Sequence, residues 1–157
     1  MLRTTEAING LDIRGRHQTG RLASAELRLP RARRCPVIRQ SLAGRCILIV
    51  EDEPLVALHI IDAVKMVGAI VRVTYSLTEA AVLVEADNLS AAILDYRIGD
   101  GDSSLLCQRL KERGVPFLMY SGYTEFSGAC RDAPRLPKPT TDAVLVATLE
   151  GMLERSP

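Results

Sequence analysis

Short, unbroken apolar runs alternate along this chain with longer stretches in which apolar residues recur every three or four positions. The first run is CILIV (46–50). A run of that length without polar alternation suits a strand covered on both faces, as in a parallel sheet. Pro54 stands where a helix would begin. Val56, Ile60, Val64 and Val67 then follow at helical spacing up to Gly68, which predicts a helix over 54–67. AIVRVTY (69–75) has strand composition, and Ser76 or Thr78 is a candidate cap for a helix over 78–87 with Glu79 in its first turn. AAILD (91–95) predicts another strand, and YRIGDGD (96–102) a turn. SSLLCQRLKERG reads as a helix with Leu105, Leu106 and Leu110 inward, stopped by Gly114.

PFLMY (116–120) predicts a strand with proline tolerated at its first residue. The segment 121–133 stands where a repeating strand–helix unit would place a helix. Gly122 and Gly128 dilute its propensity, so a loop with a short or distorted helix is expected. PRL (134–136) is a plausible edge strand. A final helix over 141–153 has Val144, Leu145, Leu149, Met152 and Leu153 on its apolar side. Strands and helices alternate throughout. The expected fold is a doubly wound, flavodoxin-like α/β domain with a five-stranded parallel sheet of order 2-1-3-4-5.

Charge divides the chain where the periodicity starts. Residues 1–45 carry ten Arg or Lys against three Asp or Glu, and residues 46–157 carry ten against sixteen. Residues 1–44 show no sustained periodicity, and LASAEL is too short to fold alone. They are expected to form a basic, mostly disordered extension, followed by a domain over 45–153 and a tail over 154–157. RLPRARR has no aromatic interleaving and no helix-turn-helix after it, so nucleic acid is not an expected partner. No run approaches the length of a membrane span, and the first residues lack a signal-like apolar region, so a cytoplasmic protein is expected. The four cysteines have no metal-ligand spacing and read as buried or incidental thiols.

The chemistry gathers at the ends of the apolar runs. Glu51 and Asp52 follow CILIV, and Asp95 ends AAILD. Adjacent parallel strands would bring all three carboxylates to one carboxyl edge, where open α/β sheets place their ligand sites. Crowded carboxylates repel unless a cation fills the gap, and an oxygen-rich set suits Mg²⁺. Lys138, in PKP beyond the fifth predicted strand, would then be a partner for an anion. This is a constellation for phosphoryl transfer. EDEP after the first strand is acidic where a flavin phosphate would sit, which excludes a flavodoxin.

From Arg45 to Leu153 the chain resembles the receiver domain of bacterial two-component response regulators. The resemblance rests on Glu51–Asp52, Asp95, Ser121 and Lys138–Pro139 at four successive strand ends. It implies that Asp95 accepts a phosphoryl group from a histidine kinase or a histidine phosphotransfer protein. It also implies that Glu51, Asp52, Asp95 and the backbone carbonyl of Arg97 hold Mg²⁺, and that Ser121 and Lys138 engage the phosphate. The implied protein is a phospho-acceptor with possible self-dephosphorylation rather than an enzyme. It would signal through a downstream protein or a homodimer, or act as a phosphate sink. PFLMYSGY (116–123) resembles, more narrowly, the FAT-GUY type of single-domain alphaproteobacterial receiver.

Two departures from that pattern matter. Receivers carry Tyr or Phe three residues before the lysine, and Arg135 stands there. Tyr123 and Arg135 are therefore the candidate switch residues. Arg135 and the short 121–133 segment also motivate an alternative, a pseudo-receiver interaction module indifferent to phosphorylation. A phosphatase of related topology would need a second acid two residues beyond its nucleophile, where this chain has Arg97, and room for a cap domain.

Overall fold

The computed structural model describes residues 40–99 and 101–155. Strand β1 (Cys46–Val50) is buried at every residue, as an unbroken apolar run requires. Helix α1 (Pro54–Met66) opens on its proline, and β2 (Ile70–Thr74) follows. Helix α2 (Leu77–Leu83) is capped by Ser76, whose side chain accepts the Glu79 N–H. It is shorter than its expected span. Then come β3 (Leu89–Leu94), β4 (Arg97–Ile98), β5 (Gly101–Asp102) and α3 (Ser104–Glu112). Strand β6 (Phe117–Ser121), a 3-10 turn (Gly128–Asp132), β7 (Arg135–Pro137) and α4 (Asp142–Leu153) complete the order.

The main sheet runs β2-β1-β3-β6-β7, parallel at every pairing. This is the expected 2-1-3-4-5 order. Side-chain alternation splits the core into two layers. Ile47, Ile49, Ala91, Ile93, Leu118 and Tyr120 pack with α1 and α4 through Ile60, Val64, Leu145 and Leu149. Leu48, Val50, Ala92, Leu94 and Met119 pack with α2, α3 and the 3-10 turn through Ala80, Leu106, Leu110 and Cys130. Fully burying each such Leu or Ile contributes about 1.5–3 kcal/mol.

Four expectations change. The 96–102 turn is a small antiparallel hairpin of β4 and β5. Leu105, expected inward, is 80% exposed, while Cys107 is buried beside Leu106 and Leu110. Val144, expected inward, is exposed. Cys107 and Cys130, expected as thiols, form a disulfide, whereas Cys46 is free and buried. The segment 121–133 holds a 3-10 turn in place of an α-helix, as its glycines predicted.

The packed chain starts ahead of β1. Leu42 is fully buried in the α1/α4 layer, and its N–H donates to Val67 O at 2.9 Å. Gly68 permits this approach. Its φ is +91°, and a Cβ there would lie 3.2 Å from Ala43 Cα. The expectation of disorder over 1–44 falls, for residues 1–39, outside the described residues. No helix among the described residues is long and apolar enough to cross a membrane.

Candidate functional site

Strand β3 lies between β1 and β6, so the residue after Leu94 emerges at the middle of the carboxyl edge. That residue is Asp95, and it is buried. Its N–H donates to Val50 O at 2.9 Å, which continues the sheet by one rung. Four donors fix the rest of it. Ser103 Oγ donates to the Asp95 backbone carbonyl at 2.5 Å. The Tyr96 N–H and the Ser121 hydroxyl both donate to Oδ1 at 2.6 Å. Lys138 Nζ donates to Oδ2 at 2.6 Å. A buried carboxylate held this way is compensated, with its orientation over-determined.

Glu51 and Asp52 arrive from the end of β1. One ligand oxygen from each of Glu51, Asp52 and Asp95 lies within 4.8 Å of the others, a cluster able to hold a metal ion. Asp52 Oδ2 accepts the Gly99 N–H at 2.9 Å, which ties the β4–β5 hairpin to the start of α1. Glu51 is 1% exposed; its Oε1 accepts the Glu53 N–H at 3.2 Å. Its Oε2 lies 2.6 Å from Lys138 Nζ, an ion pair by distance, yet it has no partner of hydrogen-bond geometry. Among the described residues it is the one buried side-chain oxygen or nitrogen left so. A carboxylate oxygen in that condition, beside two more carboxylates, fits a hard, oxygen-seeking cation.

Burial pushes the Glu51 carboxyl above its ordinary 4.5, against the pull of Lys138. For Lys138 the balance reverses. Burial alone would depress its ammonium, but the hydrogen bond to Asp95 and the negative charges of Asp95 and Glu51 together outweigh burial and raise it above 10.5. Lys138 is thus held as a cation against two acids, with Glu53 at 3.8 Å. The Lys138–Pro139 peptide is cis.

Ser121 ends β6 and is buried; besides its bond to Asp95 it accepts the Tyr123 N–H at 3.3 Å. Tyr123 is half-exposed, with its ring 6.4 Å from that of Tyr96. Tyr96 lies 5.0 Å from Phe126, and its hydroxyl meets Ser127 Oγ at 3.1 Å. Arg135 is exposed on β7. It donates to Thr124 O at 2.6 Å and lies 6.0 Å from the Phe126 ring, so it reaches the loop after Ser121 rather than an acid. Arg97 begins β4, two residues beyond Asp95, with its side chain exposed.

Three contributors were not legible as site residues. Ser103 is buried and positions Asp95. Tyr120 is buried beneath the Lys138 ammonium, 5.9 Å from its ring centroid, and its hydroxyl accepts the Thr140 N–H at 3.3 Å. The Cys107–Cys130 disulfide ties α3 to the 3-10 turn. Small hydroxyls and an extra aromatic carry no motif; only their tertiary partners reveal them. His59 is exposed, and its Nε2 lies 3.4 Å from Asp142 Oδ1.

No family model matches the chain, and no curated protein matches it. Solved structures do. A response regulator receiver protein from Sinorhizobium medicae is 21% identical, with a TM-score of 0.67 over 73% of this chain and 98% of that one. A putative response regulator from Chloroflexus aurantiacus is 26% identical, with a TM-score of 0.64 over 71% and 99%. The receiver domain of a sensor histidine kinase from Pseudomonas aeruginosa, with magnesium coordinated in its active-site cleft, is 24% identical, with a TM-score of 0.63 over 71% and 99%. The described domain therefore has the fold of response-regulator receiver domains.

Proposed function

We propose that this protein is a response-regulator receiver that accepts a phosphoryl group on Asp95 from a phosphohistidine of a histidine kinase or histidine phosphotransfer protein. One observation carries the reading. Asp95 meets Lys138 and Ser121 at 2.6 Å, in a cluster with Glu51 and Asp52, at one carboxyl edge of a parallel sheet. In the transfer an Asp95 oxygen attacks phosphorus, the phosphorus–nitrogen bond breaks, and the imidazole leaves with its electron pair. A carboxylate attacking an anionic phosphoryl group needs its charge offset, and Lys138 supplies one cation at the attacking group.

Mg²⁺ suits the remaining place, held by Asp52, Asp95, Glu51 and the Arg97 carbonyl. The alternation of an antiparallel ladder supports that last ligand. Ser103 N–H donates to Tyr96 O, so the next pair, Arg97 with Asp102, is one that exchanges no hydrogen bonds. When bound, the ion supplies charge neutralisation for the phosphoryl oxygens and the carboxylates. After transfer, the Ser121 hydroxyl and Lys138 are free to follow the phosphate oxygens, and the Ser121–Tyr123 contact carries that movement into the loop.

The reading extends to a cytoplasmic, FAT-GUY-type single-domain receiver, on the strength of Pro116–Phe117 at the start of β6 and of Ser121–Gly122–Tyr123 at its end. Its output would pass through a downstream protein or a homodimer, or drain phosphate from a relay. It is a phospho-acceptor, not a turnover catalyst. Arg135, bonded to Thr124 O in place of an aromatic switch, favours a second reading, an interaction module whose binding ignores Asp95. Acetyl phosphate labelling separates the two. The receiver gains one phosphoryl mass with Mg²⁺ and none with a chelator. A chain that stays unlabelled under both conditions, and under a panel of phosphorylated kinases, supports the second.

A further inference from the structure

The segment after Ser121 has little of its own to hold it. Among residues 122–135 Cys130 alone is buried, and Phe126, Ala129 and Ala133 are half-buried. Where a doubly wound fold would place a helix with an apolar stripe, this chain has a single 3-10 turn. Its other ties are exposed ones. They include Lys111 to Asp132 at 3.1 Å, Ser127 to Tyr96 and Ser104 at 3.1 and 3.0 Å, and Arg135 to Thr124, while the Tyr123 N–H donates to Ser121 Oγ at 3.3 Å and the Met119 N–H to Pro134 O at 2.9 Å at the two ends of the segment. A segment of this kind opens at low cost.

The disulfide supplies the missing anchor, and it does so next to the site. Cys107 faces inward from α3, 3.7 Å from the sulfur of Met119 in β6, two residues before Ser121. Cys130 lies 3.6 Å from the carbonyl of Ser103, the residue whose hydroxyl holds Asp95. The covalent link therefore ties the loop after Ser121 to α3, beside the residues that position Ser121 and Asp95.

We propose that Cys107 and Cys130 form a reversible thiol–disulfide site that, when closed, restrains residues 122–134 and limits their response to phosphorylation of Asp95. The second half rests on the receiver reading above. On that reading the protein works in the reducing cytosol, where a persistent bond is rare and a reversible one acts as a sensor. A low-molecular-weight disulfide such as oxidised glutathione is the oxidant. One cysteine thiolate displaces a glutathione thiolate, giving a mixed disulfide. The second cysteine thiolate attacks the protein sulfur of that bond, forms the Cys107–Cys130 bond and releases the second glutathione thiolate. Two electrons pass to the glutathione pair, and the two cysteine protons end on its thiols. Reduction runs the same steps backward. Both sulfurs are buried, so exchange proceeds through opening of the 122–134 segment.

The test uses the full chain, treated with dithiothreitol or with oxidised glutathione, each with and without acetyl phosphate and Mg²⁺. Peptide mapping after oxidation should place the bond between Cys107 and Cys130. Amide exchange over 122–134 should be several-fold slower in the closed form. Acetyl phosphate should change that exchange several-fold in the open form and less than half as much in the closed one. Cys130→Ser should match the open form under both treatments. Failure to form the bond, a bond mapped to Cys35 or Cys46, or equal exchange in closed and open protein would overturn the site. An equal response to acetyl phosphate in both would overturn the restraint. Intact mass read on the same samples separates the two readings. Absence of label in both forms defeats the receiver reading and the restraint with it, while the closed-against-open comparison of unlabelled protein still decides the redox site.

Discussion

Lys138 Nζ reaches Asp95 Oδ2 at 2.6 Å across the width of β6, joining the carboxyl ends of β7 and β3. The same ammonium stands 2.6 Å from Glu51 Oε2. One cation thus offsets two buried acids. Removing it leaves both charges uncompensated, which for a buried pair costs about 3 kcal/mol. Lys138→Met should lose that much stability in urea unfolding without divalent cation, and should regain part of it in Mg²⁺. A variant as stable as the wild type in chelator would show that the pair carries no such burden.

Glu51 gives the site a pH dependence of known sign. Its folded pKa is raised above 4.5, chiefly by burial. A carboxyl raised in the folded state favours folding below its unfolded pKa and gives up that stability as pH rises through the folded value. Glu51→Gln cannot ionise. The stability of Glu51→Gln relative to wild type should therefore improve as pH climbs from 4.5 toward neutrality without metal, and Mg²⁺ should erase the improvement. A relative stability that falls with rising pH would reverse the sign and refute the assignment.

Leu42 tests where the packed domain begins. It is fully buried against α1, yet it precedes the first strand. Leu42→Ala should cost roughly 3 kcal/mol. A truncation starting at Arg45 should lose at least as much relative to one starting at Gln40. Equal urea midpoints for the Gln40 and Arg45 truncations would place the boundary where charge and periodicity change.

The sequence made some of this legible and hid the rest, for reasons specific to each residue. Unbroken apolar runs marked β1 and β3, and their carboxyl ends marked Glu51, Asp52 and Asp95, because a strand's end is a place in the chain. Leu105 and Val144 were misplaced because each sits one residue, a hundred degrees of turn, from a buried leucine. Apolar identity alone does not choose between neighbours. The β4–β5 hairpin is too short to show a period. The Cys107–Cys130 bond left no trace, since its partners are 23 residues apart on different elements. Ser103 and Tyr120 act only through tertiary neighbours.

Tyr123 and Arg135 divide the readout of the site. Tyr123 is linked by its backbone to Ser121, whereas Arg135 holds Thr124 from the far side of the loop. Both side chains are exposed, so Tyr123→Ala and Arg135→Ala should each change stability by no more than about 0.5 kcal/mol. Tyr123→Ala should abolish the difference in partner affinity between phosphorylated and unphosphorylated protein, and Arg135→Ala should retain it. The opposite pattern would make the arginine the switch.

Asp95 is the most direct test. Wild type and Asp95→Asn are incubated with acetyl phosphate and Mg²⁺, and the label is located by intact mass and peptide mapping. The account predicts one phosphoryl group on the wild type, mapped to Asp95. It predicts none on Asp95→Asn, whose circular dichroism and urea midpoint show a folded domain. Label persisting on the folded Asn variant, or mapping to any other residue of the wild type, would contradict it.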